Sequence, residues 1–111
     1  MKKILVWAAA GLLIGAALTC FPSASGASDA GKSLYNQKCA FCHGVQGDGN
    51  GPAGAALSPG PTDFTNPQYW QTASNQKITA TILNGEGVMP AFDLPAPQLQ
   101  ALIEYLKTFK K

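Results

Sequence analysis

Residues 39–43 read Cys39-Ala40-Phe41-Cys42-His43. The spacing is C-x-x-C-H, the pattern for covalent attachment of a c-type haem. Two thiols three positions apart on a turn project to the same side and can add to the two haem vinyl groups. The next residue brings an imidazole under the ring, where its Nε2 can bind iron. Other chemistries fit parts of the pentapeptide. A thioredoxin-like redox pair wants a βαβ setting, and no strand-like alternation of useful length occurs. A structural zinc site wants four ligands. Two cysteines and one histidine leave it one short, unless a carboxylate completes the set. A buried structural cysteine pair leaves the adjacent histidine unexplained.

Upstream of the pentapeptide, Ser28 can cap a helix and Asp29 suits its positive first turn. Gly31, Leu34, Tyr35 and Lys38 follow at helical spacing, which predicts a short helix over residues 29–38. Downstream, residues 44–72 are rich in Gly, Pro, Asn and Asp. Gly47-Asp48-Gly49-Asn50-Gly51-Pro52 and Ser58-Pro59-Gly60-Pro61 are turn chemistry. Asn66 before Pro67 reads as a cap with proline at the first helical position, opening one turn over residues 67–71. So long a loop is uncommon in a compact domain. It makes sense when the loop wraps a large rigid cofactor.

Ser74 can cap a helix over residues 75–84 with Ile78, Ile82 and Leu83 facing inward, ended by Asn84-Gly85. Pro97 opens a last helix running to residue 109, with Leu99, Leu102, Ile103 and Leu106 as its apolar stripe. The fold class is therefore all-α: three to four short helices and long loops, without an internal repeat.

The chain has one histidine, so a second histidine ligand is excluded. A sixth ligand to the iron must be Met, Lys, an exogenous molecule, water or nothing. Beyond Met1 the sole thioether is Met89, in Gly85-Glu86-Gly87-Val88-Met89-Pro90. Its glycines permit close backbone approach and Pro90 stiffens the exit. The competing reading is a core methionine filling a gap.

Length and composition set the frame. At 111 residues the chain holds one domain, with no room for a nucleotide-binding half beside a catalytic one. Its eight basic residues are all lysines. Bidentate phosphate and base recognition leans on arginine, which speaks against nucleic-acid binding. Lys2 and Lys3, the uncharged apolar run of residues 4–18 and Ser25-Gly26-Ala27 make residues 1–27 a secretory signal peptide cleaved after Ala27. Residues 4–21 are also just long enough for a membrane anchor. Leu18-Thr19-Cys20 resembles a bacterial lipobox, which would place a lipid on Cys20. Membrane contact is expected only through such an anchor or lipid.

Without residues 1–27, six lysines face Asp29, Asp48, Asp63, Glu86, Asp93 and Glu104, so the formal charge falls from +2 to zero. The remaining domain, residues 28–111, is small enough to need a cofactor, metal or cross-link. A disulfide between residues three apart would close almost no loop. In the glycine-rich segment, Asp48 and Asn50 vaguely suggest a calcium loop, but the terminal Glu is absent. A phosphate loop would need a Lys-Ser/Thr finish, also absent.

Taken together, these residues resemble a class I cytochrome c of the small bacterial monohaem type, over residues 29–109. Beyond Cys39–His43, the matching segments are Gly44 with residues 47–52, Val88-Met89-Pro90-Ala91-Phe92, and Leu102-Ile103-Glu104-Tyr105-Leu106. The resemblance implies a small cytochrome c fold wrapped around one covalent haem c. Cys39 and Cys42 would carry the thioethers, His43 would be the proximal ligand and Met89 the distal one. The Pro52 carbonyl would accept from His43 Nδ1–H. Gly31 and Tyr35 would lie where the first helix crosses the last, near Tyr105. Tyr69 and Trp70 would bond or shield a haem propionate, with ordinary packing the alternative for Trp70.

The implied function is electron transfer between redox partner proteins outside the cytoplasm, in the periplasm, and not enzymatic catalysis. The rivals are a haem protein that binds or senses a small ligand, a non-haem thiol protein, and a dedicated electron-transfer subunit of a periplasmic oxidoreductase complex.

Overall fold

The structure is a computed structural model that describes residue 11, residues 14–17 and residues 24–111. The expected signal segment, its anchor alternative and the lipid-bearing Cys20 lie for the most part outside the described residues, Cys20 entirely so. Among the described residues, no helix is long and apolar enough to cross a membrane.

Among the described residues, five α-helices follow in order: α1 (Ala24–Lys38), α2 (Ala40–His43), α3 (Pro67–Thr72), α4 (Asn75–Asn84) and α5 (Ala96–Lys107). A single 3-10 turn, Gly54–Ala56, interrupts the loop between α2 and α3. No strand occurs among the described residues, only an isolated antiparallel bridge between Glu86 and Met89. The all-α class is as the sequence predicts, and the fifth helix is the single turn of the pentapeptide itself.

Local chemistry explains most helix ends. Asn66 Oδ1 accepts from Gln68 N–H at 3.0 Å and Pro67 opens α3. Ser74 Oγ accepts from Lys77 N–H at 3.1 Å to start α4. Gly85 ends α4 with φ 74°, in the left-handed region that favours glycine. The first helix departs from expectation. It begins at Ala24, not near residue 29, so position 28 falls inside the helix and not at its start. Ala24, Ala27 and Ala30 are strong helix formers and no proline stops the run. The last helix ends at Lys107, two residues early. Thr108 Oγ1 donates to Tyr105 O at 2.6 Å and Phe109 folds back in a turn, its N–H bonding Leu106 O at 3.1 Å.

The core is built on α5, which packs against α1 on one side and α4 on another. It comprises Tyr35, Ala40, Phe64, Ile78, Ile82, Leu94, Leu99, Leu102, Ile103 and Leu106. The predicted stripe of α5 is buried throughout. In α4, Ile78 and Ile82 are buried but Leu83 is 38% exposed. One residue step turns a side chain about 100° around the axis, which carries Leu83 past the edge of the buried face.

Helix α1 crosses α5 at Gly31. A Cβ there would lie inside the van der Waals envelope of the Ala101 carbonyl and 2.9 Å from Tyr105 Cβ. Tyr35, fully buried, packs on Tyr105 with ring centroids 5.4 Å apart. The expected crossing is thus observed. Gly31→Ala should destabilise the folded protein by about 1–3 kcal/mol, the range for overpacking a tight contact. Chemical denaturation measures it. An unchanged midpoint would mean that the two helices separate without cost.

Candidate functional site

The pentapeptide is held at both ends. Cys39 N–H donates to Tyr35 O at 2.8 Å, carrying the chain out of α1. Cys42 and His43 N–H both donate to Cys39 O, at 3.2 and 2.9 Å, which closes α2. At the far end the buried Tyr35 hydroxyl donates to Gly44 O at 2.5 Å. Burial pushes the Tyr35 pKa up, so the phenol stays protonated and remains a donor. Gly49 N–H meets His43 O at 2.8 Å and Gly51 N–H meets Cys42 O at 3.1 Å, folding the glycine-rich segment back over the turn.

His43 is half-buried, and its Nδ1 lies 3.1 Å from the Thr62 carbonyl. A carbonyl can only accept, so Nδ1 carries the proton and Nε2 keeps a free lone pair. Burial lowers the imidazole pKa, and the Thr62 bond opposes part of that shift. The ring is therefore held as a neutral ligand. Phe64 stacks on it with centroids 4.8 Å apart and planes 24° from parallel.

The acceptor is thus Thr62, and not Pro52 as the family resemblance implied. The reason lies in the loop path. Residues 49–53 fold back onto the α2 backbone, where Ala53 N–H bonds Phe41 O at 2.9 Å, and Pro52 is left exposed. After the 3-10 turn the chain returns, and its Thr62 carbonyl passes the histidine.

Cys39 and Cys42 are free and half-buried. Burial is the main influence on the Cys39 thiol. Neighbouring Lys38 pulls its pKa down and Cys42 pushes it up, with the net result at about 11. In the haem-free chain, alkylation of Cys39 should keep accelerating as pH rises past 9 toward 11, because only the thiolate reacts. A rate that levels off near pH 9, read by mass spectrometry of the modified peptide, would contradict this.

Met89 is half-buried against the common core, as are Cys39, Tyr69 and Trp70. Its loop is fixed by backbone alone: Glu86 N–H bonds Met89 O at 3.1 Å and Met89 N–H bonds Glu86 O at 2.9 Å. A Cβ on Gly85 would lie 2.7 Å from Met89 O, so glycine is needed for that approach. Beside the loop, a cleft of about 390 Å³ opens among α3, α4 and Glu86, with Tyr69, Ile78 and Thr81 on its walls.

Trp70 Nε1–H donates to Phe64 O at 2.7 Å, so the indole donor is engaged by backbone, as an ordinary packing role allows. Tyr69 packs edge-on against Phe64 and Trp70, at 5.5 and 5.0 Å. Burial, with Glu86 adding to it, raises the Tyr69 pKa, so its phenol is a proton donor. Thr62 and Phe64 were missed by sequence reasoning. The signal that pointed to them was Phe64, the one aromatic residue between His43 and Tyr69.

The donor set suits a covalent haem. It offers two accessible thiols on one turn, an imidazole with Nε2 free and Nδ1 satisfied, and a thioether on a preformed loop. Among the described residues, no three His, Cys, Asp or Glu side chains converge as a metal cluster. In the glycine-rich loop, Asp48 Oδ1 instead accepts from Asn50 N–H at 3.0 Å.

Two comparisons bear on the site. Residues 26–106 match the family described as cytochrome c oxidase, cbb3-type, subunit III. A protein of Synechocystis sp. named cytochrome c-553-like is 33% identical over 88 residues, spanning 75% of this chain and 70% of the relative.

Proposed function

The chain belongs to the cytochrome c family matched over residues 26–106, as a c-type cytochrome with covalent haem that carries electrons; from that premise we propose its haem count, iron ligands and place of work. It carries one haem c. Cys39 and Cys42 hold it through thioethers, His43 Nε2 is the proximal ligand and the Met89 sulfur the distal one. The domain acts outside the cytoplasm as an electron carrier and not as an enzyme. The observation that carries this reading is the His43 ring: it follows the two thiols directly, and its Nδ1–H is committed to Thr62 O while Nε2 is free.

When bound, the haem supplies a one-electron couple between ferrous and ferric iron. The protein's residues set its character. The Met89 thioether favours the ferrous state and raises the potential. The apolar core packed beside it disfavours the extra charge of the ferric state in the same sense. His43, braced by Thr62 and Phe64, holds one orientation in both oxidation states. With two fixed ligands, little moves when the electron moves. Tyr69, at the cleft by α4, is the residue left to contact a propionate.

Partner contact is expected through apolar surface near the thioether turn. Phe41 within the motif and Val45 just after it are 68% and 70% exposed, and Val88 precedes the methionine at 68%. The domain's formal charge of zero without residues 1–27 favours weak salt dependence, unless local lysines cluster. Electron-transfer rates with a redox partner should change less than about threefold between 0.01 and 0.15 M ionic strength. A steep fall with added salt, measured by stopped-flow, would contradict this.

A second reading is supported by the description of the matched family, an oxidase subunit. In that reading the domain serves as a dedicated electron-transfer subunit of a periplasmic oxidoreductase complex. Co-purification of a large partner with the exported protein favours the subunit; a lone small monomer favours the free carrier. The ligand-sensing rival is separated by carbon monoxide. Rapid, complete binding to the ferrous protein at ambient pressure would contradict ligation by Met89.

A further inference from the structure

Residues 62–65 have no regular secondary structure, yet they present the carbonyl that meets His43. Their course is fixed by a few bonds on either side of that carbonyl. Phe64 N–H donates to Gly47 O at 2.7 Å. Asp63 Oδ1 accepts from Thr65 N–H at 2.8 Å and from Thr65 Oγ1 at 2.6 Å, closing a tight turn. Phe64 O accepts from Trp70 Nε1–H at 2.7 Å. Asp63 O also accepts from Asn66 N–H at 3.3 Å at the cap of α3; of these bonds, the one from Trp70 joins the segment to a side chain within that helix. Trp70 sits on α3, whose own start is capped by Asn66.

The consequences converge on one ring. Phe64 is buried, with its side chain stacked on the imidazole face. Thr62, two residues earlier, supplies the acceptor at the imidazole edge. Whatever fixes Phe64 fixes both. We propose that Trp70 is a positioning residue for His43: its indole N–H, by holding the Phe64 carbonyl, keeps the Thr62 carbonyl on Nδ1 and the Phe64 ring on the imidazole face. This deepens, and rests on, the assignment of His43 as an iron ligand.

The effect is electronic as well as mechanical. A bond from Nδ1–H to a carbonyl raises the basicity of the ligating nitrogen and fixes the ring plane. A more basic imidazole stabilises ferric iron. If the Thr62 carbonyl drifts, the imidazole donates less and the couple moves toward the ferrous state. Trp70 therefore tunes the potential from a position at which it touches the iron through two intermediaries.

The test uses the exported, haem-loaded protein with Trp70→Phe, which keeps an aromatic ring and removes the donor. The ferrous-to-ferric equilibrium should shift toward ferrous by about threefold to tenfold, tenfold being 59 mV for one electron. In the diamagnetic ferrous protein, the His43 Nδ1–H should exchange with solvent about tenfold faster. Gln71→Gly, an exposed change on the same helix that weakens it because glycine is a poor helix former, controls for weakening of α3 and should leave both readouts unchanged. A Trp70→Phe protein that loses stability but keeps the wild-type potential and the wild-type His43 proton exchange would overturn the inference.

Should that variant fail to fold, the wild-type protein still decides. The indole N–H of Trp70 and the ring N–H of His43 should open with the same free energy. A His43 proton that stays protected while the indole exchanges overturns the positioning role. A wild-type chain exported without haem overturns the underlying ligand assignment itself, which is a separate outcome from a haem-bearing protein indifferent to Trp70.

Discussion

His43→Ala should yield little compact, haem-bearing protein. The substitution removes the proposed proximal ligand, and it also removes the ring against which Phe64 and the Thr62 carbonyl are set. The Thr62 carbonyl loses its donor; the bond is exposed, so water takes the donor's place and the cost is at most about 1 kcal/mol. The stack on Phe64 goes as well, about another 0.5–1.5 kcal/mol. Phe64 is itself the hub of the aromatic cluster, touching Tyr69, Trp70 and Phe109. A domain this small has little reserve, because its core is too limited to hold long loops without help. Soluble yield, haem per chain and far-ultraviolet circular dichroism together read the outcome. Normal yields of a compact, fully haem-loaded variant would show that the loop does not depend on the ring.

Met89→Ala should behave in the opposite way, keeping the fold and the covalent haem while opening the sixth position. The methionine loop is tied by the two backbone bonds between residues 86 and 89, and neither involves the side chain. The substitution therefore tests the thioether and leaves the loop path in place. The methionine–iron charge-transfer band should vanish, and small exogenous ligands should bind where the parent protein excludes them. The potential should fall by on the order of 0.1 V, a fraction of the roughly 0.8 V that axial ligands command. A variant that retains the charge-transfer band would refute Met89 as ligand, leaving its packing against the core as its role.

The legibility of this molecule in its sequence follows from where the information is stored. Caps and stripes are side-chain codes, so Asn66, Ser74 and Gly85 marked helix ends that the structure reproduces, and the α5 stripe is buried as read. The crossing at Gly31 was legible through the family resemblance, and the structure places its glycine against Ala101 and Tyr105. The histidine's partner was not legible. A backbone carbonyl belongs to every residue alike, so the choice of Thr62 over Pro52 depends on how the whole 44–65 segment folds. The same holds for Trp70, whose indole can donate to any acceptor within reach and finds the Phe64 carbonyl. The start of α1 was misplaced because a capping serine was given more weight than a run of good helix formers. The Cys39–His43 motif was the strongest signal because its chemistry is local and needs no tertiary context.

The central claim is that Cys39 and Cys42 carry a haem through carbon–sulfur bonds. Its most direct test is the intact mass, under denaturing conditions, of the protein exported by a bacterial host that has haem-maturation machinery. The account predicts a coloured product whose mass exceeds that of its polypeptide by one haem, lost when both cysteines are replaced by alanine. A colourless product with the mass of the bare polypeptide would contradict it.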